Sequence, residues 1–478
     1  MRGVAGVVVL VGLTACAHAG TDEQARLNDP SMTSPTVTSP ARSSAPAGDG
    51  PATPGVERAQ RAKLEDTSNK RASFEMGGYA DTEHVSVLTP SISGGVENVT
   101  DGASIHGSYL VDVVTAASVD IVSTASRRWR EVRHAGSIDG KYRIRSLSLS
   151  LAGSLSSEPD YLSYGGVGNL SYDLNEKNTT LFFGFGYGHD IIGRSDTPFT
   201  VFSRIVNRGS FLGGLEQVLD KSSIVSMALD VIVENGDQSK PYRYIPMFAR
   251  DVAGNVPVGA TIEYVTGNRL PERPLEQLPL GRHRFALASS YARRFDASTI
   301  RLEERVYTDT WGLKATTSDA RWFFDLSRRV SVWPHGRLHL QTPVTFWQRA
   351  YVSGPGWDLP EFRTGDRELG PLWTATGGGG LKVYLGSAAT PRTFAIGVHG
   401  DVMFTKYLDD LYLTKRTGGL GVLTFEVEEP CRGSASSSRS RAPPRSRAPI
   451  PCMTTGSPRS ATKAPSRQVL FTALANLA

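Results

Sequence analysis

Charged side chains of both signs recur at every second position in several stretches of this sequence. One stretch carries Arg301, Glu303 and Arg305, and a later one carries Arg337 and His339. Positions two apart share one face of an extended strand, so each stretch would present a charged row to one side. Such rows suit a pore wall or a surface that binds polar solutes. The alternative is a solvated interior in which neighbouring strands neutralise each other through ion pairs.

These rows define the residues that we predict to line the inside of a closed structure. They are Asp112, Asp230, Glu234, Arg301, Glu303, Arg305, Arg321, Asp325, Arg337, His339, Arg349, His399 and Asp401. His399 and Asp401 share a face, as a catalytic pair would, but the nine histidines are otherwise scattered. Catalysis needs its groups close together. The sequence therefore predicts no enzyme and no catalytic residue. No resident metal or cofactor is predicted either, because the residues that could bind a metal, His189 with Asp190 or the acidic pair Asp409-Asp410, have an unspecific spacing.

A basic cluster at residues 126–134 (SRRWREVRH) is predicted to lie in an outer loop. Its arginines are Arg127, Arg128, Arg130 and Arg133. Guanidinium groups pair well with phosphate, so this loop could bind the phosphates of lipopolysaccharide. The alternative is an exposed basic loop without a ligand.

Composition separates the body of the chain from its end. Residues 430–478 hold eight of the 52 Lys and Arg and no acid, which leaves 44 basic and 47 acidic residues before them. The body is thus slightly acidic, which argues against nucleic-acid binding. The three cysteines are Cys16, Cys431 and Cys452, so residues 17–430 have no disulfide framework.

The positioning elements are predicted to be β-strands, because apolar and polar residues alternate with a period of two. Sixteen strands are predicted, at 70–79, 83–98, 104–115, 131–144, 146–157, 161–174, 178–190, 208–219, 222–235, 282–296, 298–311, 314–328, 337–352, 370–385, 391–405 and 416–428. The long connections all follow odd-numbered strands. Short turns at one end and long loops at the other are typical of an up-and-down transmembrane β-barrel. A glycine run at 376–382 (TGGGGLK) indicates a bend or a close approach of backbones.

The two ends of the chain are predicted to lie outside this barrel, which spans 70–428. Residues 1–19 read as a signal peptide, with an apolar stretch from Val4 to Ala15. Cleavage before a lipidated Cys16 and cleavage at Ala17-His18-Ala19 remain alternatives. Residues 20–69 are rich in Ser, Thr and Pro and predict a disordered linker.

Residues 429–478 predict a disordered basic tail. The next outward position after the last predicted strand is Glu429, where such barrels usually end on an aromatic residue, and Arg, Ser and Pro then dominate abruptly. This coincidence favours a frameshifted segment, and a basic interaction tail is the alternative.

Several segments resemble a bacterial outer-membrane barrel family known only as a domain of unknown function and common in proteobacteria. The segments are 108–126 (SYLVDVVTAASVDIVSTAS), 130–140 (REVRHAGSIDG), 156–166 (SSEPDYLSYGG), 171–181 (SYDLNEKNTTL), 187–194 (YGHDIIGR) and 399–418 (HGDVMFTKYLDDLYLTKRTG). The resemblance covers about residues 70–428. It implies an outer-membrane location and adds no substrate.

The expected function follows from this class of protein. We expect an exported barrel in the outer membrane of a Gram-negative bacterium that passes or binds a small solute or ion. A non-conducting scaffold or assembly component of an envelope complex is the alternative, and an outer-membrane enzyme is a third. The expected partners are outer-membrane lipid, lipopolysaccharide and the barrel-assembly machinery, with no nucleic acid, and the solute stays open.

Overall fold

A closed sheet of sixteen antiparallel strands accounts for most of the described residues in the computed structural model. The structure describes residues 68–98, 102–116, 129–194, 196–356, 358–386 and 393–429. The predicted signal peptide with Cys16, nearly all of the linker, and the tail beyond Glu429 lie outside these residues. The all-β, sixteen-strand barrel predicted from the sequence is confirmed.

The strands follow one another around the barrel in chain order. They are β1 (Ser68–Asp81), β2 (Ser86–Asn98), β3 (Ala103–Ala116), β4 (Trp129–Ile144), β5 (Leu147–Glu158), β6 (Tyr161–Leu174), β7 (Thr179–Ile192), β8 (Arg204–Asp220), β9 (Ser223–Gly236), β11 (Gly281–Arg294), β12 (Ser298–Asp309), β13 (Lys314–Ser327), β14 (Val330–Gln341), β16 (Leu372–Leu385), β17 (Thr393–Tyr407) and β18 (Lys415–Glu429). β1 pairs with β18 from Lys70 opposite Glu429 to Asp81 opposite Gly418, which closes the sheet.

Closure leaves the strands with two unlike faces. Outward positions carry large apolar side chains such as Leu151, Phe183 and Val402, all exposed. Inward positions are mostly polar, and many of them are buried, for example Ser93 and Asp112. In a closed sheet every ladder amide has a partner, which is the requirement for crossing hydrocarbon with strands. The described chain therefore has the fold of an outer-membrane β-barrel. Separately, no helix among the described residues is long and apolar enough to cross a membrane.

The face assignment predicts unequal effects at two neighbouring positions of β9. Leu229 points outward and is 49% exposed, whereas Asp230 points into the barrel. Leu229→Arg is expected to lower the free energy of unfolding in lipid by ~2–4 kcal/mol if it lies at the bilayer midplane. Asp230→Asn keeps a polar group in a polar interior and should cost much less. Urea titration of the refolded full chain in vesicles measures both, and equal losses would contradict the assignment.

Long connections leave one end of the barrel, called here the long-loop end. The longest are 237–280, between β9 and β11, and 342–371, between β14 and β16, whereas the longest at the other end is 386–392. The two long loops contain β10 (Met247–Phe248) and β15 (Tyr351–Val352), which pair in parallel. They also contain the short helices α1 (Arg250–Ala253) and α2 (Ile262–Asn268) and a 3-10 turn at Arg367–Leu369, and a further 3-10 turn at Asn175–Lys177 joins β6 to β7.

These loops pack on one another and form what we call the loop cap, residues 237–280, 342–371 and 408–414. Phe248, Val256 and Val265 share a small apolar core with Leu411 from the third segment. The amide of Ala260 donates to the carbonyl of Leu411 at 2.6 Å. The long loops therefore have a structure of their own at the long-loop end.

One strand boundary differs clearly from the prediction. The thirteenth barrel strand was expected at 337–352, but β14 spans Val330–Gln341. Pro334 and Gly336 resemble a turn in the sequence, yet the strand runs through them. Proline has no amide hydrogen for a ladder, and the pairing of β14 with β13 is interrupted between Val332 and His335. β14 nevertheless continues through this point because it also pairs with β16, where Pro334 lies opposite Gly379.

Candidate functional site

The structure places twelve of the predicted lumen residues on inward positions of barrel strands. The strand registers and the burial pattern put on this face Asp112, Asp230, Glu234, Arg301, Glu303, Arg305, Arg321, Asp325, Arg337, His339, His399 and Asp401.

The structure contradicts the prediction that Arg349 lines the lumen. It lies in the connection 342–371 rather than in a strand, because β14 ends at Gln341. Its guanidinium pairs with the carboxylate of Asp409 and donates from Nε to the carbonyl of Val256 at 3.1 Å. Arg349 therefore ties segments of the loop cap together.

The structure also contradicts the predicted loop position of one arginine of the basic cluster. Arg133 is a buried inward residue of β4, not a loop residue, and its Nε donates to Asp112 at 2.7 Å. The hydroxyl of Thr89 donates to the same carboxylate at 2.5 Å. Arg127 and Arg128 lie outside the described residues, and Arg130 is placed by its backbone alone at the start of β4. The proposed lipopolysaccharide loop thus loses one of its four arginines.

Two sides of the lumen differ in chemistry. The inward side of β2–β6, called here the serine wall, carries Ser91, Ser93, Ser108, Ser137, Ser148, Ser150, Ser154, Ser156, Ser163 and Ser171. Inward carboxylates outnumber inward cations there: Glu97, Asp112, Glu131, Asp139, Glu158 and Asp173 against Arg133, Lys141 and Arg143.

The opposite balance holds on the inward side of β11–β14, called here the arginine wall. Its cations are Arg282, Arg284, Arg294, Arg301, Arg305, Arg321 and Arg337, against Glu303, Asp309, Asp319 and Asp325. The lumen is therefore polarised, with excess negative charge on one wall and excess positive charge on the other.

Ion pairs connect β7 to the arginine wall near the long-loop end. Arg208 on β8 pairs with Asp190 on β7, and its Nε lies 3.4 Å from Glu234 on β9. Glu234 in turn lies 2.7 Å from Arg284 on β11. Asp190 and Glu234 are each only 1% exposed. Buried charges of this kind are tolerated only when each has its partner.

A second group lies near the middle of β13, β14 and β17 and is called here the histidine cluster. Nδ1 of His335 is 2.9 Å from Oδ1 of Asp401, and its Nε2 is 2.9 Å from Oδ2 of Asp319. The other oxygen of Asp401 is 2.9 Å from Nε2 of His399. An ionised carboxylate can only accept hydrogen bonds. Both nitrogens of His335 therefore donate when both aspartates are ionised, which makes this ring an imidazolium.

Glycines explain how residues on non-adjacent strands meet. β16 separates β14 from β17, and Gly378 pairs with His335 on one side and Asp401 on the other. A Cβ at Gly378 would collide with the Asp401 carboxylate and the carbonyl of Gly400. A Cβ at Gly380 would enter the ring of Trp333, which stacks on His399 at 6.1 Å between centroids. The glycine run thus allows the close approach that the sequence indicated.

The loop cap contains a charged group of its own. Arg243 bridges Glu276 at 3.1 Å and Asp366 at 2.8 Å, and Nζ of Lys240 lies 3.4 Å from Asp366. Burial alone would raise the pKa of Asp366, but the charges of Arg243 and Lys240 hold it well below its usual range. Burial lowers the pKa of Lys240, and Asp366 opposes that shift. These pairs link segments 237–280 and 342–371 through charge as well as apolar contact.

Sequence reasoning found half of the histidine cluster. His399 and Asp401 were singled out because they share a face, whereas His335 and Asp319 were not. His335 stands between Pro334 and Gly336 and was assigned to a turn. Asp319 sits two residues before Arg321, which was included in the predicted lumen row. Extending that row by one step would have found Asp319.

The arrangement supports binding and orientation of polar solutes. The lumen offers guanidinium donors on one wall, hydroxyl and carboxylate groups on the other, and a histidine–carboxylate group between β13 and β17. In addition, His335, His399 and Asp401 can each offer one ligand atom, with these atoms within 4.8 Å of one another. This is the spacing of groups that can share one metal ion.

Solved structures similar to this chain share little sequence with it. CdiB from Acinetobacter baumannii is 11% identical with a TM-score of 0.39, and the match covers 75% of this chain and 60% of CdiB, so this chain spans less than two thirds of that protein. OccK11 from Pseudomonas aeruginosa is 10% identical with a TM-score of 0.35, covering 76% and 97% of the two chains. A bacterial polysaccharide outer membrane secretin is 9% identical with a TM-score of 0.38, covering 77% and 99%. The comparison with curated proteins finds no match.

A family model covers the central part of the barrel. The model, described as "Protein of unknown function (DUF3570)", matches residues 125–213 and 204–390. These stretches include the arginine wall, His335 and the glycine run, and they end before His399 and Asp401. The resemblance to a barrel family of unknown function, expected from the sequence, is thereby confirmed. Because the matched residues make up more than half of the chain, this protein belongs to the DUF3570 family.

Proposed function

We propose that this protein is a channel for small polar solutes in the outer membrane of a Gram-negative bacterium, reached after export by the predicted signal peptide. The polarised lumen is the observation that carries the proposal. A barrel of sixteen strands is wide enough to hold an aqueous channel. Outer-membrane lipid and lipopolysaccharide would cover the apolar outward positions, and insertion would use the barrel-assembly machinery.

The excess of arginine on one wall favours anionic solutes. Fixed charges that line a narrow aqueous path raise the local concentration of ions of opposite sign. Arg305 is exposed to the lumen, Arg301 lies four residues earlier on the same strand, and Arg337 faces the lumen from β14, two strands away. An anion passing along this wall would exchange water for guanidinium donors. The serine wall opposite would supply hydroxyl groups to neutral parts of the same solute.

The expected result is an anion-preferring conductance. The refolded full chain in a planar lipid bilayer should give steady channels, and a KCl gradient should give a reversal potential that favours chloride. Arg305→Gln combined with Arg337→Gln should make the electrostatic potential in the lumen less positive. Each kT of potential lost should reduce the preference for chloride over potassium by about threefold. Arg328→Gln in the exposed turn after β13 is the matched control and should leave the preference unchanged.

The loop cap supports the alternative function, a scaffold that does not conduct. Its segments share an apolar core and buried ion pairs, so the cap could close the long-loop end of a scaffold that does not conduct. A correctly folded chain, shown by a heat-dependent gel shift, that never conducts would contradict the channel and favour the scaffold. A chain that conducts only after residues 342–371 are shortened would instead identify the cap as a gate.

A further inference from the structure

We propose that His335, His399 and Asp401 bind a divalent transition metal ion such as Zn²⁺ in the lumen. The proposal does not depend on conduction, because binding can be measured on a sealed barrel as well. It rests on the chemistry of the three side chains, on their distances, and on the residues that hold them.

The three side chains form a donor set that suits such a metal. Two imidazoles and one carboxylate are frequent ligands of Zn²⁺, with a fourth position left for water. The two oxygens of Asp401 already face Nδ1 of His335 and Nε2 of His399, each at 2.9 Å. All three donor atoms lie within 4.8 Å of one another. An ion at their centre would replace the two hydrogen bonds with three metal–ligand bonds through small side-chain shifts.

Asp319 supplies the outer partner that a metal-bound histidine usually has. Ligating histidines commonly donate their second ring nitrogen to a carboxylate, which fixes the ring and strengthens the ligand. With the metal on Nδ1 of His335, Nε2 would still donate to Asp319 at 2.9 Å. Arg321 lies 3.4 Å from the same carboxylate and neutralises part of its charge. Asp319 is therefore a positioning residue for this site.

The surrounding wall keeps the site in place and leaves it reachable. His335 and Asp401 are buried, whereas the His399 side chain keeps 11% of its surface exposed on the lumen face of β17. Trp333 stacks on His399 and limits rotation of that ring. Gly378 leaves the space in which the Asp401 carboxylate sits. These contacts would preorganise the three ligands before the metal arrives.

Metal binding competes with protons at the proposed ligands. A metal ion needs the lone pair of Nδ1 of His335, so any proton on that nitrogen must leave to the solvent when Zn²⁺ binds. Binding should therefore weaken as the pH falls.

The test is a Zn²⁺ titration of the refolded full chain in detergent, without a polyhistidine tag and with its three cysteines alkylated. We expect one Zn²⁺ per chain. His399→Gln and Asp401→Asn should abolish stoichiometric binding, and Asp319→Asn should weaken it ~10–100-fold. His106→Gln is the matched control, because His106 faces the lumen beside Asp139 at 3.2 Å but belongs to no group of three such ligands among the described residues. It should bind like the native chain.

A second measurement needs no variant and covers the case in which a substitution prevents folding. Diethyl pyrocarbonate modifies accessible imidazoles, and Zn²⁺ should protect His399 from it while leaving His106 reactive. Absence of stoichiometric binding by folded native chain would overturn the proposal. Binding that survives both His399→Gln and Asp401→Asn, or protection of other histidines instead, would also overturn it. If the His399→Gln and Asp401→Asn variants lose Zn²⁺ binding but conduct like the native chain, metal binding and conduction are independent properties of the barrel.

Discussion

Gly378→Ala is expected to prevent the barrel from reaching its native packing between β14 and β17. The added methyl group would meet the Asp401 carboxylate, the Cα of Asp401 and the carbonyl of Gly400 inside van der Waals distance. Two of these are backbone atoms of a paired strand, which a rotamer change cannot move. Overpacking of this kind typically costs 1–3 kcal/mol, and occasionally more. Urea unfolding of the refolded chain in vesicles, followed by tryptophan fluorescence and the gel shift, measures the loss.

The neighbouring glycine provides the control. A Cβ at Gly377 would meet no atom within 4 Å, and this position faces outward. Gly377→Ala should therefore leave the free energy of unfolding unchanged or slightly higher, since glycine weakens a strand interior. A similar loss for both substitutions would show that flexibility of the glycine run, rather than space for Asp401, is what the fold requires. Partial recovery by Gly378→Ala with Asp401→Ala would support the steric explanation.

The period of the sequence was sufficient to predict the barrel and the direction of most side chains. In a strand such as β9, the alternation determines which side chains point outward and which point into the barrel, because a shift by one residue would turn every apolar side chain inward. The long connections added independent information, since 237–280 and 342–371 leave the same end. Asp230 and Glu234 could be placed in the lumen on this basis alone.

Contacts between non-neighbouring strands could not be predicted in the same way. Alternation assigns a face but gives no register, and the meeting of His335 with Asp401 depends on the register of β14, β16 and β17 together. Because Pro334 resembles a turn residue, the predicted strand began after it, at 337 instead of 330. The predicted strand therefore also ended too late, at 352, and wrongly included Arg349. Arg133 failed for a related reason: it was grouped with the arginines of the preceding loop, although the predicted strand at 131–144 already included it. These errors arise where local residue types and tertiary pairing disagree.

Arg208→Met is expected to have the largest effect among the ion pairs. Its guanidinium lies between Asp190 and Glu234, which are each 1% exposed, and it reaches the hydroxyl of Tyr161 at 3.3 Å. Methionine keeps much of the volume and removes the charge. Arg284 still pairs with Glu234 at 2.7 Å, so the carboxylate left uncompensated is that of Asp190. Removing one partner of a buried pair typically costs 3–5 kcal/mol.

Arg204→Met on the same strand is the matched control. Arg204 pairs with Asp237 at 3.0 Å and donates from Nη1 to the carbonyl of Ser239 at 2.6 Å. The side chains of Arg204 and Asp237 are 20% and 33% exposed, so water replaces much of the lost interaction. Exposed pairs contribute about 0–1 kcal/mol, and a loss in that range is expected. Adding Asp190→Asn to Arg208→Met should recover a large part of the stability, because the amide carries no charge to solvate. If the double variant is no more stable than Arg208→Met alone, the guanidinium acts through packing and its hydrogen bond to Tyr161, and the uncompensated charge of Asp190 is not the cause.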